Sequence, residues 1–182
     1  MGVAQVLSTY KMTKYNYEDA VRQADIAGND ASLMTNAWNR YSKERTIPNV
    51  LSVRQETDAY HEADITGNEI WLSITSPYFG VDDFRWFLKQ LGSIDDYIQL
   101  NRNLFDVTND FDIYDSGIDL KLPAYYISGS CDWICPADMI ENYASEMGCD
   151  YAEIAGCGHS VQYDNPKEFI KAVKGFLEVT RP

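Results

Sequence analysis

Leu122-Pro123-Ala124-Tyr125-Tyr126-Ile127-Ser128-Gly129-Ser130-Cys131-Asp132-Trp133-Ile134-Cys135-Pro136 and Tyr151-Ala152-Glu153-Ile154-Ala155-Gly156-Cys157-Gly158-His159-Ser160 decide how this chain is read. Leu122 to Gly129 is a short apolar run stopped by glycine, which suits a buried parallel strand. Tyr151 to Ala155 reads as a second short strand, and Gly156 and Gly158 allow the loop after it to turn tightly. Between them, Pro136 opens a helix with Met139, Ile140, Tyr143 and Ala144 on one side, closed by Gly148. Asn165 and Pro166 start a last helix carrying Phe169, Ile170, Val173 and Phe176. Strand, helix, strand, helix predicts a parallel unit. In such sheets the chemistry gathers at the carboxyl ends of the strands. Asp132 follows the first strand and His159 the second, 159 − 132 = 27 residues apart, about one helix plus one strand. Adjacent loops would then place a carboxylate against an imidazole. The carboxylate fixes the ring's tautomer, leaving the other nitrogen free to move a proton.

The preceding 119 residues read as helical. Asn16 can cap a segment with apolar Tyr17, Ala20, Val21, Ala24 and Ala27, stopped by Gly28. Asp30 precedes a second stripe of Leu33, Met34, Ala37, Trp38 and Tyr41, and a third helix is expected from Asn49 towards His61, ending before Gly67. Asp82 to Leu91 places Phe84, Phe87, Leu88 and Leu91 on one face, and Ser93 with Asp96 resembles a capping box opening a helix through Phe105. Trp38, Trp71 and Trp86 sit at helix spacing and are expected to pack within this layer. His61 is expected at the surface without a role, and Asp164 and Asn165 are expected to cap the last helix. The expected division is a helical cap over residues 1–119 and an α/β core over 120–182.

Composition narrows the function. Asp and Glu number 28 against 15 Lys and Arg, a formal charge of −13. Such a surface repels nucleic acid and anionic lipid, so neither is an expected partner. No apolar run has the length of a membrane span, and the N-terminus lacks a basic region followed by a long apolar stretch, so a soluble, cytoplasmic chain is expected. Cys131, Cys135, Cys149 and Cys157 all fall in the last third, and reduced thiols are the expected state.

The order I-S-G-x-x-D-x-x-x-P, a helix, G-x-G-H-S and an N-P-x-x-F helix resembles the C-terminal end of an α/β-hydrolase. More narrowly it resembles the proline iminopeptidase-like serine aminopeptidases. The matching positions are Gly129, Asp132, Pro136, Gly156, Gly158, His159, Asn165, Pro166 and Phe169. They cover residues 120–178 well. Residues 1–119 resemble, more loosely, the helical cap inserted after that family's sixth strand, with Gly2 to Val6 similar to the segment before it. The resemblance implies that Asp132 is the triad acid and His159 the triad base. It also implies a small peptide or small acyl substrate, no cofactor and no metal. The nucleophile elbow G-x-S-x-G does not occur in the chain. Serine and oxyanion donors would have to come from elsewhere, and this chain alone is expected to be inactive.

Two other functions fit parts of the sequence. One is a non-catalytic binding or regulatory remnant of the hydrolase fold. The other is a zinc module using Cys131, Cys135, Cys157 and His159, although the spacing is not that of a standard finger or ribbon. Without an earlier strand to flank it, the edge at Tyr125 to Ile127 is expected to be apolar and unpaired, so the chain should dimerise through it, bind an N-terminal partner fragment, or rearrange its cap to cover it.

Overall fold

A computed structural model describes residues 2–3, 5–61, 71, 74–90, 92–115 and 123–179. The fold class is α/β: a helical layer precedes a β-α-β-α unit, and the described strands form one small parallel sheet. In chain order the elements are β1 (Gly2–Val3), α1 (Thr9–Ala27), α2 (Ser32–Lys43), α3 (Ile47–Thr57), α4 (Val81–Gln90), α5 (Ile94–Leu100) and α6 (Arg102–Asn109). They continue with β2 (Tyr125–Gly129), α7 (Ala137–Glu146), β3 (Asp150–Ile154), α8 (Val161–Asp164) and α9 (Pro166–Val179). Sheet order is β1-β2-β3, with Tyr125 opposite Asp150 and Gly129 opposite Ile154.

β1 corrects one expectation. Gly2 pairs with Tyr126 and Val3 with Ile127, so the outer side of β2 is occupied where an unpaired edge was foreseen. Two residues are too few to register as a strand by periodicity. Among the described residues, β1 rather than β2 is the terminal strand on that side.

Helices α1 to α6 lie between two neighbouring parallel strands, and the points where the chain leaves and returns are tied together. Ser8 bridges Asp112, and the Ile113 N–H donates to the Leu7 carbonyl at 2.8 Å. The Ser8 hydroxyl donates to Asp112 Oδ2 at 3.0 Å, and Lys11 Nζ reaches the same oxygen at 3.0 Å. The helical layer is thus an insertion closed at its base.

Helix α1 begins at Thr9, eight positions before the segment expected after Asn16. Ser8 is its cap, accepting from the Lys11 N–H, and Asn16 is buried inside the helix. Gly28 ends it with φ +71°, a left-handed conformation in which a side chain would be strained. The layer's core is Ala37, Tyr41, Val50 and Val53 with an aromatic group around Trp38, whose ring stacks on Tyr17 at 5.1 Å. Ser93 and Asp96 form the expected capping box, but Asn101 divides the helix foreseen through Phe105 into α5 and α6. Trp71 and Trp86 are exposed, as are Phe84 and Leu88, so the packing expected of them is not found among the described residues. The end foreseen before Gly67 and the 119/120 boundary lie outside the described residues.

The two faces of the sheet build two cores, as alternation along β2 dictates. Tyr126 packs with Leu7, Met12, Ile140 and Tyr143 under α7, whereas Ile127 packs with Ile154, Cys157 and Val161. Burying Ile127 and Ile140 completely contributes about 1.5 to 3 kcal/mol each. No helix of the described residues is long and apolar enough to cross a membrane.

Candidate active site

Strands β2 and β3 run parallel, so the loops at their carboxyl ends emerge side by side, and backbone contacts lock them. Ser130 N–H donates to the Ile154 carbonyl at 3.1 Å and Cys131 N–H to the Cys157 carbonyl at 2.8 Å. In return, the Gly156 N–H donates to the Ser130 hydroxyl at 2.8 Å. Gly129 permits this closeness: a β-carbon there would collide with the carbonyl oxygens of Cys157 and Gly158. Gly156 turns the second loop at φ +69°. Asp164 accepts from the Gly158 N–H at 2.8 Å. It therefore braces the histidine loop, and the expected cap of the last helix falls to Asn165 alone, which accepts from Glu168 N–H.

Asp132 and His159 meet. Nδ1 of His159 lies 3.1 Å from Oδ2 and 3.3 Å from Oδ1 of Asp132. The Asp132 side chain is 0% exposed and that of His159 33%. Oδ1 also accepts from the N–H groups of Ile134 (2.9 Å) and Cys135 (2.8 Å), so the carboxylate is held from both sides. Asp132 thus serves a structural role and faces the imidazole at once, although Pro136, not Asp132, is the cap of α7. A carboxylate only accepts, so the Nδ1 proton points to Asp132 and Nε2 is left as the basic nitrogen. His159 borders a cavity of about 250 Å³ whose walls include Val3 of β1, Ser160, Gln162 and Phe169.

Sequence reasoning missed His61. It was expected at the surface, yet its ring is half-buried and stacks on Trp133 of the acid loop, centroids 4.9 Å apart and planes 2° from parallel. Among the described residues its buried Nε2 has no hydrogen-bond partner, and burial lowers the imidazole pKa. The stack ties the helical layer to the acid loop. No local signal marks it, because the partners are 72 positions apart (133 − 61). A second cavity of about 600 Å³ opens beside the stack, with Tyr15 and Asp19 of α1 and Asp138 of α7 among its walls. Tyr15 donates to Asp138 at 2.5 Å, and that hydrogen bond pushes its pKa up to about 12.

The cysteines behave as free thiols, and the foreseen zinc set is not assembled. Cys135 and Cys157 sit in different cores. The metal-ligating side chains that converge within 4.8 Å, among the described residues, are Asp132, Cys135 and His159. They fit a metal poorly: both Asp132 oxygens are engaged, and burial raises the Cys135 thiol, disfavouring the thiolate a metal needs.

No protein-family model matches the chain, and no curated protein matches it. Among solved structures it is similar to MGS-M2, an alpha/beta hydrolase enzyme from a Medee basin deep-sea metagenome library. The identity is 18%, the match covers 99% of this chain and 56% of that one, and the TM-score is 0.49. The chain spans little more than half the length of that hydrolase.

Proposed function

We propose that this chain is the C-terminal portion of an α/β-fold serine hydrolase of the proline iminopeptidase kind, carrying the acid and base of a triad whose nucleophile is supplied from outside it. The observation that carries this reading is the 3.1 Å contact between His159 Nδ1 and Asp132 Oδ2 at the carboxyl edge of two parallel strands. A helical cap inserted between neighbouring strands, closed at Ser8–Asp112, fits the same reading. The cap then runs from Leu7 to Ile113, within the 1–119 segment, and the core takes in 120–182 together with β1.

In this scheme His159 Nε2 removes the proton of a serine hydroxyl as it attacks the acyl carbon of a small peptide or ester. It then returns that proton to the leaving amine or alkoxide. Asp132 holds the ring in register and stabilises the imidazolium between those steps. The cavity beside Val3 and His159 is where the serine would enter, and the terminal strand β1 is where the element bearing it would pair. An N-terminal segment or partner is the first candidate for that edge, and a second copy of the chain the other. The free thiols fit a reducing, cytoplasmic setting.

The test adds a segment carrying a strand and a G-x-S-x-G elbow to the purified chain. A fluorophosphonate probe and a proline arylamide should give no signal with the chain alone and both labelling and turnover with the pair. Turnover by the chain alone would show that the nucleophile lies within it. Failure of every such segment, with binding demonstrated, would favour the non-catalytic remnant.

A further inference from the structure

His61 stands at the end of a short 3-10 turn, Asp58–Tyr60, that continues α3. The His61 N–H donates to the Asp58 carbonyl at 3.2 Å, and Tyr60 packs against Ala20 and Ala24 of α1 and Met34 of α2. The imidazole is therefore mounted on the core of the helical layer. Its face meets the indole of Trp133 with planes 2° from parallel and centroids 4.9 Å apart, the spacing of an offset stack.

Trp133 is mounted as firmly on the other side. It is the residue enclosed by the turn in which Asp132 Oδ1 accepts from the Ile134 and Cys135 N–H groups. One carboxylate oxygen closes that turn, so the indole and the carboxylate belong to a single unit. The other oxygen, Oδ2, lies 3.1 Å from Nδ1 of His159. Tilting the indole tilts the carboxylate with it, and a hydrogen bond weakens steeply with misalignment. A second contact joins the layers nearby, from Tyr15 of α1 to Asp138 at 2.5 Å, but it ends on the first turn of α7, beyond the closed turn.

We infer that His61 is a positioning residue for the Asp132–His159 pair, acting through Trp133, so that the seating of the helical layer sets the contact between acid and base. His61 never meets the reacting atoms in this scheme, which rests on the acid and base roles proposed above. With the layer seated, the stack holds Oδ2 on the Nδ1 proton. With the layer lifted, Asp132 keeps its own turn closed but loses its aim at the ring.

Nitrogen-15 spectra of the full, histidine-labelled chain follow the Nδ1–H resonance of His159 and its exchange with water. His61→Ala removes the stacked face, His61→Phe replaces it, and Tyr15→Phe breaks the contact to α7. His61→Ala should move the His159 resonance upfield and speed its exchange at least about tenfold, whereas His61→Phe keeps the parental behaviour. Tyr15→Phe should change neither. Trp133→Leu repeats the test from the other ring and should match His61→Ala. Slow exchange of the β2 and β3 amides reports that the sheet of each variant is intact. A His159 resonance indifferent to His61→Ala and Trp133→Leu, or absent from the parent, would overturn the role of His61. So would a shift that His61→Phe fails to prevent or that Tyr15→Phe reproduces. Loss of sheet protection in both ring variants would also overturn it, the mark of a purely structural stack. None of these readouts involves turnover, so a chain that passes them and gains no activity from an added elbow fails the hydrolase reading alone.

Discussion

Gly129 at the end of β2 stands directly against the carbonyl of Cys157 in the histidine loop, with no room between them for a β-carbon. The acid and base loops owe their closeness to this missing side chain. Gly129→Ala would meet backbone atoms, which cannot swing aside as a side chain can. It is expected to cost about 3 kcal/mol or more in urea unfolding, at the upper end for overpacking. The refolded variant should also lose the Asp132–His159 contact.

Asp132 does two jobs that substitution can separate. Asparagine keeps an oxygen for the Ile134 and Cys135 N–H groups but replaces the acceptor facing the imidazole. Alanine strands both buried N–H groups. Asp132→Ala should therefore destabilise the chain by about 2 to 4 kcal/mol, whereas Asp132→Asn should cost about 1 kcal/mol or less. Paired urea melts at neutral pH measure the difference. Equal losses would show that the backbone contacts contribute nothing.

Burial lowers the His61 pKa, although Asp19 and Asp58 pull it the other way. The sign follows directly. Below the unfolded value of about 6.5 the unfolded chain binds this proton more readily than the folded one, so stability falls as pH falls through that range. His61 alone contributes at most about 1.4 kcal/mol per pH unit to that slope. His61→Phe preserves an aromatic face for Trp133 and removes the titration. Urea melts between pH 5 and 7 should have a shallower slope in the variant.

The thiols should divide into two classes. Cys135 and Cys157 are buried and Cys131 and Cys149 half-exposed, while burial raises the pKa of Cys135, Cys149 and Cys157, so accessibility sets the division. Alkylation followed by peptide mass spectrometry should modify Cys131 and Cys149 at least about 10²-fold faster than the other two. All four should react alike in denaturant.

Much of the site was legible because its signals are local. Gly156 and Gly158 announce a tight loop, Pro136 a helix start, and the 27-residue gap a strand–helix–strand step that returns to the same edge. The zinc reading shows the limit of such spacing: the loops after β2 and β3 bury Cys135 and Cys157 in different cores. Long-range partners were not legible at all. Nothing near His61 names Trp133, and nothing near Gly2 names Tyr126. Cap positions slipped for a related reason. Ser8 is fixed by its bond to Asp112, 104 residues away, so the start of α1 is set by tertiary contact rather than by its own sequence.

Nitrogen-15 spectra of the histidine-labelled chain near neutral pH show whether the Asp132 carboxylate fixes the tautomer of His159. The expected spectrum has a proton on Nδ1 of His159, none on Nε2, and a strongly deshielded Nδ1–H resonance that Asp132→Asn abolishes while the His61 signals stay in place. A proton on Nε2, or a His159 spectrum indifferent to Asp132→Asn, would contradict it.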